Sequence, residues 1–229
     1  MNSIEIVQHL NWAEIILNRP ERRNAITGPM GRSLNNAIDT LSADLNCQLI
    51  LLRGAGGAFC SGLDLKEFQA QPEPEWMANF PLVWRGVHRA LFECKKPVVV
   101  ALERFAINAG AALALAADLL IVGEGGFLQI GEVQRGMAAP YNLAWLNLRY
   151  PEYISAQLAL VGRRFSAGEL KTFGIAHQVV PDQEVLTAAR SFSSELAAYP
   201  PEALTRLKQG LRARVEEDAD TWFDRFTTI

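Results

Sequence analysis

Three short apolar runs, at residues 49–52, Val98–Leu102 and residues 119–122, constrain this chain more than any other feature. Each is shorter than an ordinary helix and carries no polar residue at alternate positions. That is the pattern of a strand buried on both faces. Helical periodicity fills the intervals. Thr27 can cap a helix with Pro29 in its first turn, and Met30, Leu34, Ala37, Ile38 and Leu41 then recur on one face. Residues 76–93 read as an amphipathic helix and residues 109–117 as a buried one rich in alanine and leucine. Two earlier strands, residues 4–7 and 14–17, flank a polar turn at Asn11 and read as a hairpin. Beyond Asn142 helices dominate, at 142–149, 154–161, 167–173, 183–199, 202–215 and 219–226, with a brief extended piece at 179–180. Strands alternating with helices, then helices alone, give an α/β core followed by a helical segment.

Charge and composition remove several classes of function. The net charge is −3, with acids and bases mixed along the chain and no basic stripe, which argues against a nucleic-acid partner. The clusters Arg19, Arg22, Arg23 and Arg163, Arg164 read either as solvated surface or as a grip on phosphate. Three cysteines and three scattered histidines fit neither a disulfide framework nor metal-ligand spacing, so no metal is expected. The N-terminal residues carry Glu5 and no basic-then-apolar pattern of a signal peptide. The longest apolar stretch, residues 109–122, is interrupted by Asp118 and is too short to span a bilayer. No membrane partner and a cytoplasmic location are the expectations.

Two small-residue segments carry the chemistry. Gly54-Ala55-Gly56-Gly57 leads through Phe59 to Ser61-Gly62-Leu63-Asp64. It lacks the last glycine of a dinucleotide fingerprint, the Gly-Lys-Ser/Thr of a P-loop and the glycine that precedes a hydrolase nucleophile. The second segment, Asn108-Ala109-Gly110-Ala111-Ala112, follows a strand and opens a helix. By periodicity alone the first is a tight turn and the second a close helix contact. Together they could present main-chain N–H groups as an oxyanion hole.

The order of motifs resembles the crotonase (enoyl-CoA hydratase/isomerase) superfamily. Asn18-Arg19-Pro20-Glu21-Arg22-Arg23-Asn24-Ala25-Ile26 resembles its opening signature. Ala58-Phe59-Cys60-Ser61-Gly62-Leu63-Asp64-Leu65 resembles its first oxyanion loop, and Lys96-Pro97-Val98-Val99-Val100-Ala101 with Asn108-Ala109-Gly110 its second. The similarity runs from about Glu14 to about Leu211. It implies an α/β, crotonase-like spiral of ββα units over residues 1–165, carrying the acyl-CoA site. Residues 166–229 would form a helical trimerisation region, giving a homotrimer or hexamer. That region is shorter than usual for the family, which implies a more open pocket.

The resemblance also assigns residues. The oxyanion donors carry over to the backbone N–H groups of Leu63 and Ala109. Ser61, Gly62, Asp64 and Gly110 flank them and are assigned to substrate binding. Arg23, with Lys66 as a second candidate, matches the basic residue that meets the CoA phosphates. No cofactor is implied beyond the CoA of the substrate. Hydratases of the family use two glutamates; the first position is Ala112 here, and the second is Glu132. One glutamate with an oxyanion hole favours moving a proton over adding water. Residues 132–140 are closest in motif to the Δ3,Δ2-enoyl-CoA isomerase branch. The expected activity is therefore a shift of a 3-enoyl-CoA double bond to 2-enoyl-CoA. Hydration or decarboxylation of an acyl-CoA, and non-catalytic acyl-CoA binding, are the alternatives. Trp76, Phe80 and Trp84 could line the acyl pocket or simply pack.

Overall fold

The computed structural model describes residues 2–228. Strands β1 (Ile4–Gln8) and β2 (Ala13–Leu17) form the expected hairpin. The three apolar runs become β3 (Ile50–Gly54), β4 (Val98–Leu102) and β6 (Leu119–Gly123). Between β4 and β6 lies β5 (Phe105–Ile107); β7 (Phe127–Gln129), β8 (Arg164–Ser166) and β9 (Gln178–Val180) follow. The main sheet runs β1-β2-β3-β4-β6-β9, parallel from β2 onward, and a second sheet runs β5-β7-β8. The side chains of β4 are buried on both faces, as its unbroken valine run requires. The sequence pattern did not reveal the second sheet. Its strands are three residues long, too short for a period of two to register.

The helices are α1 (Gly28–Ala43), α2 (Leu65–Phe68), α3 (Phe80–Glu93), α4 (Ala109–Ala116), α5 (Pro140–Arg149) and α6 (Glu152–Val161). They continue with α7 (Ala167–Thr172), α8 (Val185–Leu196), α9 (Pro201–Arg212) and α10 (Ala219–Thr227). Thr27 caps α1 by accepting from the Met30 N–H, and Met30, Leu34, Ala37, Ile38 and Leu41 are all buried. α3 begins at Phe80 rather than at Trp76. Pro81 has no N–H and fits only the first helical turn, so the helix starts immediately before it.

All eight residues of α4 are buried. Their small side chains let the helix sit against β4, β5, α3 and α5 at once. The pair β4–β5 followed by α4 is one ββα turn. The bridge of Cys60 to Ala106 ties the loop after β3 to the strand that leads into α4. Two loops far apart in sequence thereby meet at the first turn of α4.

Asn24 holds the first of those loops. It is fully buried with φ of 54°. Its amide donates to Ala55 O at 2.9 Å and Ala58 O at 2.7 Å, and its Oδ1 accepts from the Arg19 N–H at 2.9 Å. Asparagine tolerates this left-handed conformation better than most residues. Asn24→Ala leaves one buried carbonyl, one half-buried carbonyl and one N–H without this partner. It should cost about 3 kcal/mol and lower the melting temperature by about 6–12 °C, measured by calorimetry.

Candidate active site

A cavity of about 320 Å³ opens over the first turn of α4. Ser61 and Leu63 from the first loop, Asn108, Ala109 and Ala112 from the second, and Glu132 all line it. Gly62, with φ of 93°, turns the chain so that Ile26 N–H donates to Gly62 O and Asp64 N–H donates to Ile26 O. Leu63 N–H takes part in neither bond. Ala109 is the first residue of α4, so its N–H has no carbonyl one turn back. Among the described residues neither N–H donates elsewhere in the chain. Both therefore remain available at a helix N-terminus, where the dipole also favours negative charge.

Gly62 and Gly110 are needed for packing as much as for chemistry. A Cβ at Gly110 would stand 2.5 Å from Cys60 O, and one at Gly62 would stand 2.9 Å from Ile107 O. The tight-turn and close-packing readings of these two segments are thus realised together with the pair of free N–H groups. Neither Gly62 nor Gly110 itself lines the cavity.

Glu132 opens a 3-10 turn, Glu132–Arg135. Its Oε1 accepts from Asn142 Nδ2 at 3.2 Å, while Oε2 is buried without a hydrogen-bond partner among the described residues. Burial raises its carboxyl to about 7, against smaller lowering effects of its own N–H and the Arg135 charge. Half-buried Glu103 is likewise raised by burial, but the carboxylates met by several cations behave in the opposite way. Burial would raise Glu14 as well, but hydrogen bonds from Arg190 and Arg53 outweigh it and hold the group at about 2. Asp118 is similarly held low by Lys208, Arg149 and Arg212.

The remaining expected residues divide. Asp64 does not offer its carboxylate to the cavity. It caps α2, and Arg19 and Arg22 pair with its oxygens at 3.1 and 2.7 Å. Arg23 and Lys66 are exposed and outside the cavity, and no ion pair engages Arg23 among the described residues. The Arg19–Arg22–Arg23 cluster thus splits into two structural cations and one free one. Arg163 pairs with Glu169 at 2.6 Å on the surface. Of the three aromatics, Trp84 lines the cavity. Trp76 and Phe80 pack against Phe68, with Trp76 also over Gly28. Asn142, Tyr141 and Arg135 also line the cavity, at positions that no sequence pattern marks. Asn142 sits at the start of a helical pattern, where an asparagine carries no signal of its own.

A larger cavity of about 470 Å³ lies at the other end of α4, around Asp118, Arg149, Lys208 and Arg212. Three of its cations, Lys208, Arg149 and Arg212, are committed to Asp118 and to main-chain carbonyls, while Arg214 at its edge is exposed. Lys208 donates to Lys96 O, Arg149 to Ala116 O and Arg212 to Phe92 O. That arrangement braces helix C-termini. Among the described residues no group of three His, Cys, Asp or Glu side chains could hold a metal ion, and no helix is long and apolar enough to cross a membrane.

Comparison with known proteins places the chain in a family. The family model described as Enoyl-CoA hydratase/isomerase matches residues 9–225. Carnitinyl-CoA dehydratase of Proteus mirabilis (strain HI4320) is 32% identical over 217 residues, covering 93% of this chain and 82% of that protein. The 1,2-epoxyphenylacetyl-CoA isomerase of Escherichia coli (strain K12) is 29% identical, covering 92% and 82%. A solved carnitinyl-CoA dehydratase from Mycobacterium avium 104 superposes with a TM-score of 0.87 at 26% identity, covering 100% of this chain and 90% of that one.

The raised carboxyl of Glu132 makes a stability prediction. A folded-state value of about 7 lies above the ordinary value of 4.5, so the folded chain binds more protons than the unfolded one between those pH values. Stability is then lost as pH rises through that window. Glu132→Gln removes the titration. Its melting temperature should match that of the unaltered protein near pH 4 and exceed it by several degrees at pH 8, as read by thermal unfolding across pH.

Proposed function

Because the chain belongs to the enoyl-CoA hydratase/isomerase family, we propose that it shifts the double bond of a 3-enoyl-CoA to the 2-position, with Glu132 as its single base. The observation that carries this reading is the unpartnered Oε2 of Glu132, in one cavity with the Leu63 and Ala109 N–H groups, while Ala112 lines the same cavity without a titratable group.

The substrate thioester oxygen accepts from the two N–H groups. Carbon 2 of a 3-enoyl thioester is acidified by both the carbonyl and the double bond. The Glu132 carboxylate takes a proton from carbon 2, and the electron pair spreads over carbon 4, carbon 2 and the thioester oxygen as a dienolate. The two main-chain donors stabilise the charge that develops on that oxygen. The neutral carboxyl then returns the proton to carbon 4, which leaves the double bond between carbons 2 and 3 and regenerates the base. A carboxyl near 7 suits both steps, because it is basic enough to accept and acidic enough to return the proton at neutral pH.

Hydration across a 2-enoyl thioester asks for a second acid–base group to share the water, and the side chain at Ala112 cannot serve. The apolar wall of Leu63, Leu65, Trp84, Ile107, Met137 and Tyr141 supports an acyl group in the cavity. The free guanidinium of Arg23 and the ammonium of Lys66 support a grip on the CoA phosphates outside it.

The test is turnover of 3-enoyl-CoA and 2-enoyl-CoA, each followed by the absorbance of the conjugated thioester. Conjugation should appear from the first substrate and persist in the second. The kcat/KM for isomerisation should rise with pH up to about 7 and then level, as the base ionises. Glu132→Gln should lose about 10³-fold. Loss of conjugation from the 2-enoyl substrate would refute the reading in favour of hydration.

A further inference from the structure

Asn142 joins the two halves of this site. Its Nδ2 donates to Glu132 Oε1 at 3.2 Å and to Asn108 O at 3.2 Å. Both partners are oxygens, so the amide can face them only with its NH₂ group, which supplies one hydrogen to each. Asn108 immediately precedes the donor Ala109 and has φ of 52°, a conformation that needs support. Its own Oδ1 accepts from the Gly131 N–H at 2.8 Å, and Gly131 immediately precedes Glu132. The contacts close a ring: Asn108 to Gly131, Gly131 to Glu132, Glu132 to Asn142, and Asn142 back to Asn108.

We propose that Asn142 is the positioning residue of this site, locking Glu132 to the oxyanion loop so that Oε1 is tied down and Oε2 alone is left to carry the proton. The proposal rests on the reading of Glu132 as the base and adds to it the group that aims it. The amide acts through Glu132 and need not touch the reacting carbon. A donor on Oε1 favours the ionised carboxylate and so opposes the burial that dominates its titration, besides fixing where the group points. Arg135, from the same turn, is the cation that acts on Glu132. On α5 the titratable neighbour is Tyr141, which burial pushes up to about 12, so it stays neutral. Residues Ala109–Ala116 of α4 carry no titratable side chain. On α6, Glu152 and Tyr153 stand at the end of the helix remote from Gly162, which meets the turn at Val133.

The test is direct titration of the Glu132 carboxyl by carbon-13 NMR in protein labelled at glutamate, its resonance identified by its absence from Glu132→Gln. Asn142→Leu removes the donor at similar volume and should raise the Glu132 midpoint by about one pH unit. The acid limb of the isomerase pH profile should move with it, and kcat should fall by about tenfold or more with KM little changed. Asn142→Asp keeps the shape and replaces the donor by an acid. It serves if the leucine variant does not fold, and its carboxyl pair should show an upper midpoint above that of the unaltered site. A midpoint that stays put in the folded variants would overturn the proposal. A fall in affinity for a saturated acyl-CoA with that unmoved midpoint would mark Asn142 as only a brace for Asn108. A shifted midpoint in a protein inert toward 3-enoyl-CoA would support the positioning role and overturn the isomerase reading instead.

Discussion

The close approach of α4 to the backbone at Cys60 is the constraint on which the rest of the structure depends. Cys60 O accepts from the Ile107 N–H at 3.1 Å, and Gly110 lies against the same carbonyl, where a side chain has no room. The contact brings the free N–H of Leu63 and the free N–H of Ala109 to one cavity. The surrounding pieces serve this meeting. Asn24 ties down the glycine loop, Arg19 and Arg22 hold Asp64 at the loop's far end, and the alanines of α4 let the helix sink between the sheet and α5.

Electrostatics then separates the working carboxylate from the structural ones. Glu14, Asp64 and Asp118 are each met by two or more cations, and each stays ionised well below neutral pH. Glu132 is met by one amide hydrogen from Asn142 and a cation outside hydrogen-bond contact, so burial prevails and raises it. A desolvated carboxylate is costly to the fold; Glu103 is raised by burial too, but Glu132 lines the cavity beside Leu63 and Ala109, and that placement marks it as a functional group. The neutral His88 is a contrasting case. It accepts from Trp145 Nε1 at 2.9 Å and stacks on Tyr141, so it serves as aromatic packing behind the cavity.

Much of this was legible in the sequence because it depends on local patterns. Unbroken apolar runs marked β3, β4 and β6, and the Thr27 cap with its periodic face marked α1. The matched order of motifs pointed to Leu63, Ala109 and Glu132. What was not legible depends on long-range pairing or on side-chain direction. Strands of three residues leave no period, so the β5-β7-β8 sheet was missed. Asp64 sits in a loop that lines the site, yet its carboxylate turns to Arg19 and Arg22; only the fold shows which way it faces. Asn142 lies 34 positions from Asn108 and ten from Glu132, so its bridging bonds exist only once α5 packs on α4.

The measurement that bears most directly on the central claim is the fate of deuterium from a 3-enoyl-CoA labelled twice at carbon 2. Product formed by the unaltered protein and by Glu132→Gln would be analysed by mass spectrometry and NMR. A single base at Glu132 predicts that one deuterium leaves carbon 2 with a primary isotope effect, part of it reappears at carbon 4, and the glutamine variant does neither. Both deuteriums remaining at carbon 2, or the same transfer in the glutamine variant, would contradict the account.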